Sequence, residues 1–134
     1  MKSKSAILLL LTLLLSVTAC KKDRDKEPEK TVNEKVIGRW NLTSFIEIIQ
    51  KPGEPPKTNT SEFKGGYFEF FADGTMKTNI EGELTATYKI KNDTTIELFD
   101  EPYTIKEITN NKFVFEASYT SSTRTVTSTF TLGR

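Results

Sequence analysis

From residue 36 onward, apolar and polar side chains alternate with a period of two, in short runs separated by turn-forming residues. This pattern constrains the fold more than any other feature, because it sends successive side chains to opposite faces of a strand. No segment sustains a helical period over three turns; one short helical turn is expected over residues 31–37. The alternation predicts eight strands, at residues 36–49, 67–71, 75–80, 84–90, 95–99, 103–108, 112–119 and 123–132. Asp73-Gly74, Asn92-Asp93 and Asn110-Asn111 supply tight turns, and Gly82 and Pro102 add punctuation.

On the first strand, Gly38, Trp40, Leu42, Ser44, Ile46 and Ile48 share one expected inward face. Phe68 and Phe70, then Leu84, Ala86, Tyr88 and Ile90, continue it. Phe113, Phe115, Ala117 and Tyr119, then Val126, Ser128, Phe130 and Leu132, complete it. Residues 50–66, with three prolines and three glycines, read as a long loop, of the kind that forms lids or binding loops. Eight short strands joined mostly by tight turns give an all-β, antiparallel, up-and-down meander. It either closes into an eight-stranded β-barrel, which removes its free edges, or folds into a two-sheet β-sandwich.

The first 34 residues follow different rules. Lys2 and Lys4 precede an apolar stretch over residues 6–15, and Ser16-Val17-Thr18-Ala19 shift to small side chains before Cys20, the single cysteine. The apolar stretch is far shorter than the roughly 20 residues that cross a bilayer, so a signal peptide over residues 1–19 is the expectation. Val17-Thr18-Ala19-Cys20 resembles the bacterial lipobox, which implies cleavage before Cys20 and attachment of acyl chains, palmitate among them, to that cysteine. The competing reading is ordinary secretion with a free thiol. Several acyl chains would make the membrane attachment effectively permanent.

Residues 20–34 contain 10 charged side chains of both signs and are expected to form a disordered tether ahead of a domain over residues 35–134. Such a coil spans about 20 Å. Cys20-Lys21-Lys22-Asp23, with Asp25, Glu27 and Glu29, is similar to the export signals of surface lipoproteins in Bacteroidetes, or is a plain solvated linker. The absence of aspartate directly after Cys20 implies, by resemblance, the outer membrane, with the domain facing the periplasm or the cell surface.

Without Lys2 and Lys4 the 19 cations fall to 17, against 18 acids. A nearly neutral domain offers no basic field for nucleic acid. The chain has no histidine, and its one cysteine precedes the domain, so the commonest zinc ligands and the commonest general base are missing. Glu62, Glu69, Asp73, Glu81, Glu83, Glu97, Asp100 and Glu101 fall in turns or on polar strand faces, where solvation is the default. No enzymatic activity, catalytic residue, metal or cofactor is expected.

Gly38-Arg39-Trp40, at the start of the first strand, resembles the G-x-W of lipocalins (the calycin group). The ordered set IGRWNLTSF, YFEFFADGTMKT, LTATYKIKNDTTIELFD and YTIKEITNNKFVFEA is similar to the lipocalin-like domains of Bacteroidetes lipoproteins. The resemblance covers residues 36–119 and implies an eight-stranded barrel whose interior takes a small apolar ligand. A second tryptophan of the family pattern falls on Tyr88. On this reading Trp40, Leu42, Phe68, Phe70, Tyr88, Phe113, Phe115 and Phe130 are the candidate lining, with Trp40 better suited to plug one barrel end. The alternative is a filled barrel in which these side chains are core, and which contacts an envelope protein through the long loop or its outer face. Asp93-Thr94-Thr95 also resembles an O-glycosylation acceptor, at Thr94, of Bacteroidetes envelopes, and reads equally as a plain turn.

Overall fold

The structure, a computed structural model, describes residues 28–134. The expected signal peptide over residues 1–19, Cys20 and the first part of the expected tether lie outside the described residues. Helix α1 (Val32–Val36) begins inside the segment assigned to the tether. Its start is set by a capping box: the Thr31 hydroxyl accepts the Glu34 N–H at 3.3 Å, and the Glu34 carboxylate accepts the Thr31 N–H at 2.7 Å. The bonds that the Glu34 carboxylate accepts from the Thr31 N–H and, at 2.9 Å, the Thr31 hydroxyl hold its pKa below the ordinary value.

Nine strands follow: β1 (Gly38–Gln50), β2 (Lys57–Ser61), β3 (Tyr67–Phe70), β4 (Thr75–Thr78), β5 (Leu84–Asn92), β6 (Thr95–Leu98), β7 (Glu101–Ile108), β8 (Lys112–Thr120) and β9 (Thr125–Gly133). Every pairing is antiparallel, β3 to β9 pair in sequence order, and β1 joins β3 on one side to β9 on the other. The protein is therefore a closed eight-stranded antiparallel barrel, not a two-sheet sandwich, with β2 as an added strand.

Two expectations are corrected here. The expected long loop over residues 50–66 is partly tied into the sheet: Lys57 to Ser61 pair with Ile49 to Phe45 of β1. β9 occupies one edge of β1 from Asn41 to Gln50, and β3 takes the other edge only as far as Asn41. The edge beyond must find a backbone partner, and β2 supplies it. Lys57-Thr58-Asn59-Thr60-Ser61 has no apolar residue, so its strand character leaves no alternation to read. What remains of the loop is anchored too, by Phe63 packed on Phe45 at 5.9 Å and by the Leu42 N–H donating to the Gly66 carbonyl at 2.8 Å.

The second correction concerns β1. A bulge between Leu42 and Ser44 adds one residue against β9, and one residue reverses the alternation. Phe45 therefore turns inward, opposite Phe130, with ring centroids 4.8 Å apart. Ser44, Ile46 and Ile48, expected inside, take the outer face, and Ile48 is exposed.

The barrel has two unlike ends. Where β1, β4, β6 and β8 begin, α1 closes the end over Trp40, which is fully buried with Val36, Phe70, Met76, Ile96, Phe113 and Leu132. The Trp40 indole N–H donates to the Val36 carbonyl at 2.8 Å, and the Arg134 guanidinium lies over its ring at 3.9 Å. Arg134 also donates to the carbonyls of Asn110, Ile37 and Lys35, so the last residue ties the barrel rim to the helix. Gly38 sits beneath this arrangement with φ +113°, and a Cβ there would lie 3.0 Å from Arg134 Nη1. Gly38→Ala is expected to lower the thermal midpoint by more than Gly53→Ala, whose φ of +75° is also positive but whose Cβ would meet nothing within 4 Å.

Candidate ligand cavity at the open barrel end

At the opposite end, where β4 and β6 finish and β5 and β7 begin, the interior is not filled. A cavity of about 270 Å³ lies there, with Phe68, Thr78, Leu98, Phe115 and Phe130 as its inner walls. Its rim comes from two connections: Ile80, Glu81 and Gly82 before Leu84 on one side, and Phe99 before Tyr103 on the other. Leu84 is 49% exposed and Phe99 40%, so the rim presents apolar surface to solvent. Phe99 and Asp100 both adopt positive φ, 55° and 64°, in the two-residue turn between β6 and β7. The expected strand over residues 95–99 thus ends one residue early, and a bulky Phe is held in left-handed backbone at the mouth, a conformation that costs free energy.

The inner walls are rigid because each ring is held by others. Phe115 packs on Phe130 at 5.0 Å, Phe113 at 5.1 Å, and Phe68 and Tyr103 at 5.6 Å each. The buried Thr78 hydroxyl is satisfied by donating to the Tyr67 carbonyl at 2.8 Å, which leaves the wall chemically quiet. The polar groups near the mouth are the Tyr103 phenol and the Glu81 and Glu101 carboxylates. Burial pushes the Tyr103 pKa up, and the charges of Glu101 and Glu81 push it the same way. Tyr88 is raised by burial and by Asp73.

These shifts set an alkaline limit. The fold favours the neutral phenols, so the unfolded chain releases their protons first. The associated stability is complete below about pH 10 and is lost as pH rises through the higher folded values. Ultraviolet titration should show Tyr88 and Tyr103 ionising above the ordinary tyrosine range, with stability falling as they do.

The eight expected lining residues divide between the two ends. Phe68, Phe115 and Phe130 face the cavity. Trp40, Leu42, Phe70 and Phe113 are buried in the core, Trp40 and Phe113 with their rings 5.7 Å apart. Tyr88 packs edge-on against Phe70 at 5.0 Å and donates its hydroxyl to the Phe71 carbonyl at 2.8 Å, pinning the turn between β3 and β4. Thr94 is exposed in the turn after β5, its hydroxyl donating to Asn92 Oδ1 at 2.9 Å. Sequence reasoning did not single out Leu98 or Tyr103, although alternation within β6 and β7 marks both. Phe45 was hidden by the bulge.

A closed antiparallel barrel with one plugged end and a small apolar cavity at the other defines a lipocalin-like protein. The family model for the lipocalin-like domain matches residues 36–115, more than half of the 134-residue chain. The chain belongs to that family. Comparison with the curated proteins finds no match.

Proposed function

We propose that this protein binds a small apolar ligand in the cavity at the open barrel end, and does so as a lipid-anchored module of the bacterial outer membrane. The cavity carries the reading. At about 270 Å³ it lies just under the usual range for small-molecule sites, with room for one ring system or a short alkyl chain. Its walls are aromatic and aliphatic, its one buried hydroxyl is already satisfied, and its rim sets apolar Ile80, Leu84 and Phe99 beside Glu81. Such a site selects by shape and burial, without chemistry on the ligand.

The anchoring part rests on the lipobox-like Val17-Thr18-Ala19-Cys20 and the charged residues after it, in the manner of Bacteroidetes lipoproteins. Cys20 would hold the barrel close to the membrane, facing the periplasm or the cell surface. A second reading, a barrel acting through a protein partner of the envelope, draws support from the small size of the cavity and from Tyr119, which is 68% exposed near the tip of β8.

Native mass spectrometry of the protein released from its own envelope, followed by solvent extraction, tests both. A stoichiometric small apolar mass supports the carrier, and an acylated Cys20 peptide supports the anchor. A bare protein mass favours the partner reading.

A further inference from the structure

We propose that the ligand of this cavity is cationic, an apolar body carrying a protonated amine that stays at the mouth. This proposal rests on the binding reading above and narrows its ligand class.

Glu81 and Glu101 belong to the two rim connections, and Glu47 lies on the inner side of β1 beyond the cavity lining. Glu81 lines the cavity directly. Glu101 stands opposite the buried Leu98 and two residues before Tyr103, which places it on the inner side of β7. Glu47 follows Phe45 by two residues on the same face of β1, in the row outward from Phe45, Phe130 and Phe115; its carboxylate accepts Asn59 Nδ2 at 3.4 Å. Among the described residues none of the three is in an ion pair. Tyr103 lies near two of them: beyond the effect of burial, Glu101 and Glu81 push its pKa up.

The cations of β4, β5 and β7 point outward. Lys77 pairs in register with Glu69, and Lys89 with Glu97, on the outer face. Lys106 bridges Glu116, again outside. Lys57, opposite Ile49, is the cation on the inner side of the overhanging sheet, about 7 Å beyond the Glu47 row.

The mouth therefore carries two carboxylates, Glu81 and Glu101, beside an apolar, aromatic hole. A fatty acid entering tail first would leave its carboxylate beside two like charges, whereas an ammonium would meet opposite ones. Phe99 and Tyr103, both at the rim, offer ring faces that also favour a cation.

The test uses octylamine, octanol and octanoate, which share one tail, titrated calorimetrically into the full chain near neutral pH and at low salt. Octylamine is expected to bind at least tenfold more tightly than octanoate, with octanol between them. The combined Glu81→Gln and Glu101→Gln variant should close most of that gap, through weaker octylamine and tighter octanoate binding. Octanol binding together with octanoate as tight as octylamine would overturn the cationic preference and leave the apolar site standing. A preference that persists undiminished in the double variant would overturn the role given to these carboxylates. No binding of any of the three would overturn the site and the preference together.

Discussion

Trp40→Ala is expected to cost about 3–5 kcal/mol of folding stability, as truncation of a fully buried large aromatic does. Trp40 is fully buried, and three separate attachments converge on it: its indole N–H caps the Val36 carbonyl, its ring packs on Phe113, and its other neighbour is the Arg134 guanidinium. Removing the ring strands a carbonyl at the end of α1 and takes the stacking surface from the residue that joins Asn110, Ile37 and Lys35. Against a total of about 5–15 kcal/mol for a domain, the loss brings the chain close to unfolding. Urea denaturation should show a lower midpoint with unchanged slope. Trp40→Phe, which keeps most of the apolar surface but not the N–H, should fall between the two. Because Trp40 sits at the plugged end, binding by whatever fraction remains folded should be unaltered.

Phe115→Ala is expected to destabilise by a similar 3–5 kcal/mol but with a different signature. Phe115 is the ring on which Phe68, Tyr103, Phe113 and Phe130 converge, and it also lines the cavity. Its removal joins a new void to the existing one, and voids lined by apolar side chains accept apolar guests. The variant should therefore take up larger neutral ligands than the native chain, and a saturating ligand should restore part of the lost stability by mass action. The contrast separates the two barrel ends: both substitutions weaken the fold, and only the one at the open end alters what is bound. Isothermal calorimetry with a series of neutral alkanols of increasing length measures the difference.

The barrel was legible in the sequence because its signals were redundant. Alternation, the Asp73-Gly74 turn and the ordered family segments all point to one consecutive antiparallel sheet, and strand closure is the way such a sheet removes its edges. β2 was illegible because its five residues are all polar, and their strand character comes from the unpaired edge of β1. The inner face of β1 was legible only to Leu42. The bulge after it depends on how β1 lies against β9, at the far end of the chain, and it carried Phe45 inward and Ile46 outward.

The candidate site was half legible for a related reason. Alternation shows which side chains point inward, and Phe68, Phe115 and Phe130 were found that way; it does not show which end of a barrel is plugged. That depends on Trp40, Arg134 and α1 meeting at one rim, whereas the other end loses its filling where the short β4 and β6 stop at Thr78 and Leu98. The rim residues Ile80, Leu84 and Phe99 belong to connections or strand ends, where periodicity carries little information.

The barrel is hollow at one end and solid at the other. Methyl-resolved nuclear magnetic resonance of the folded chain, titrated with neutral octanol, tests it most directly. Saturable shifts centred on Ile80, Leu84 and Leu98, with Val36, Leu42 and Leu132 unmoved, are the predicted result. Shifts that never saturate, or that centre on Ile46 and Ile48 of the outer face, would contradict it.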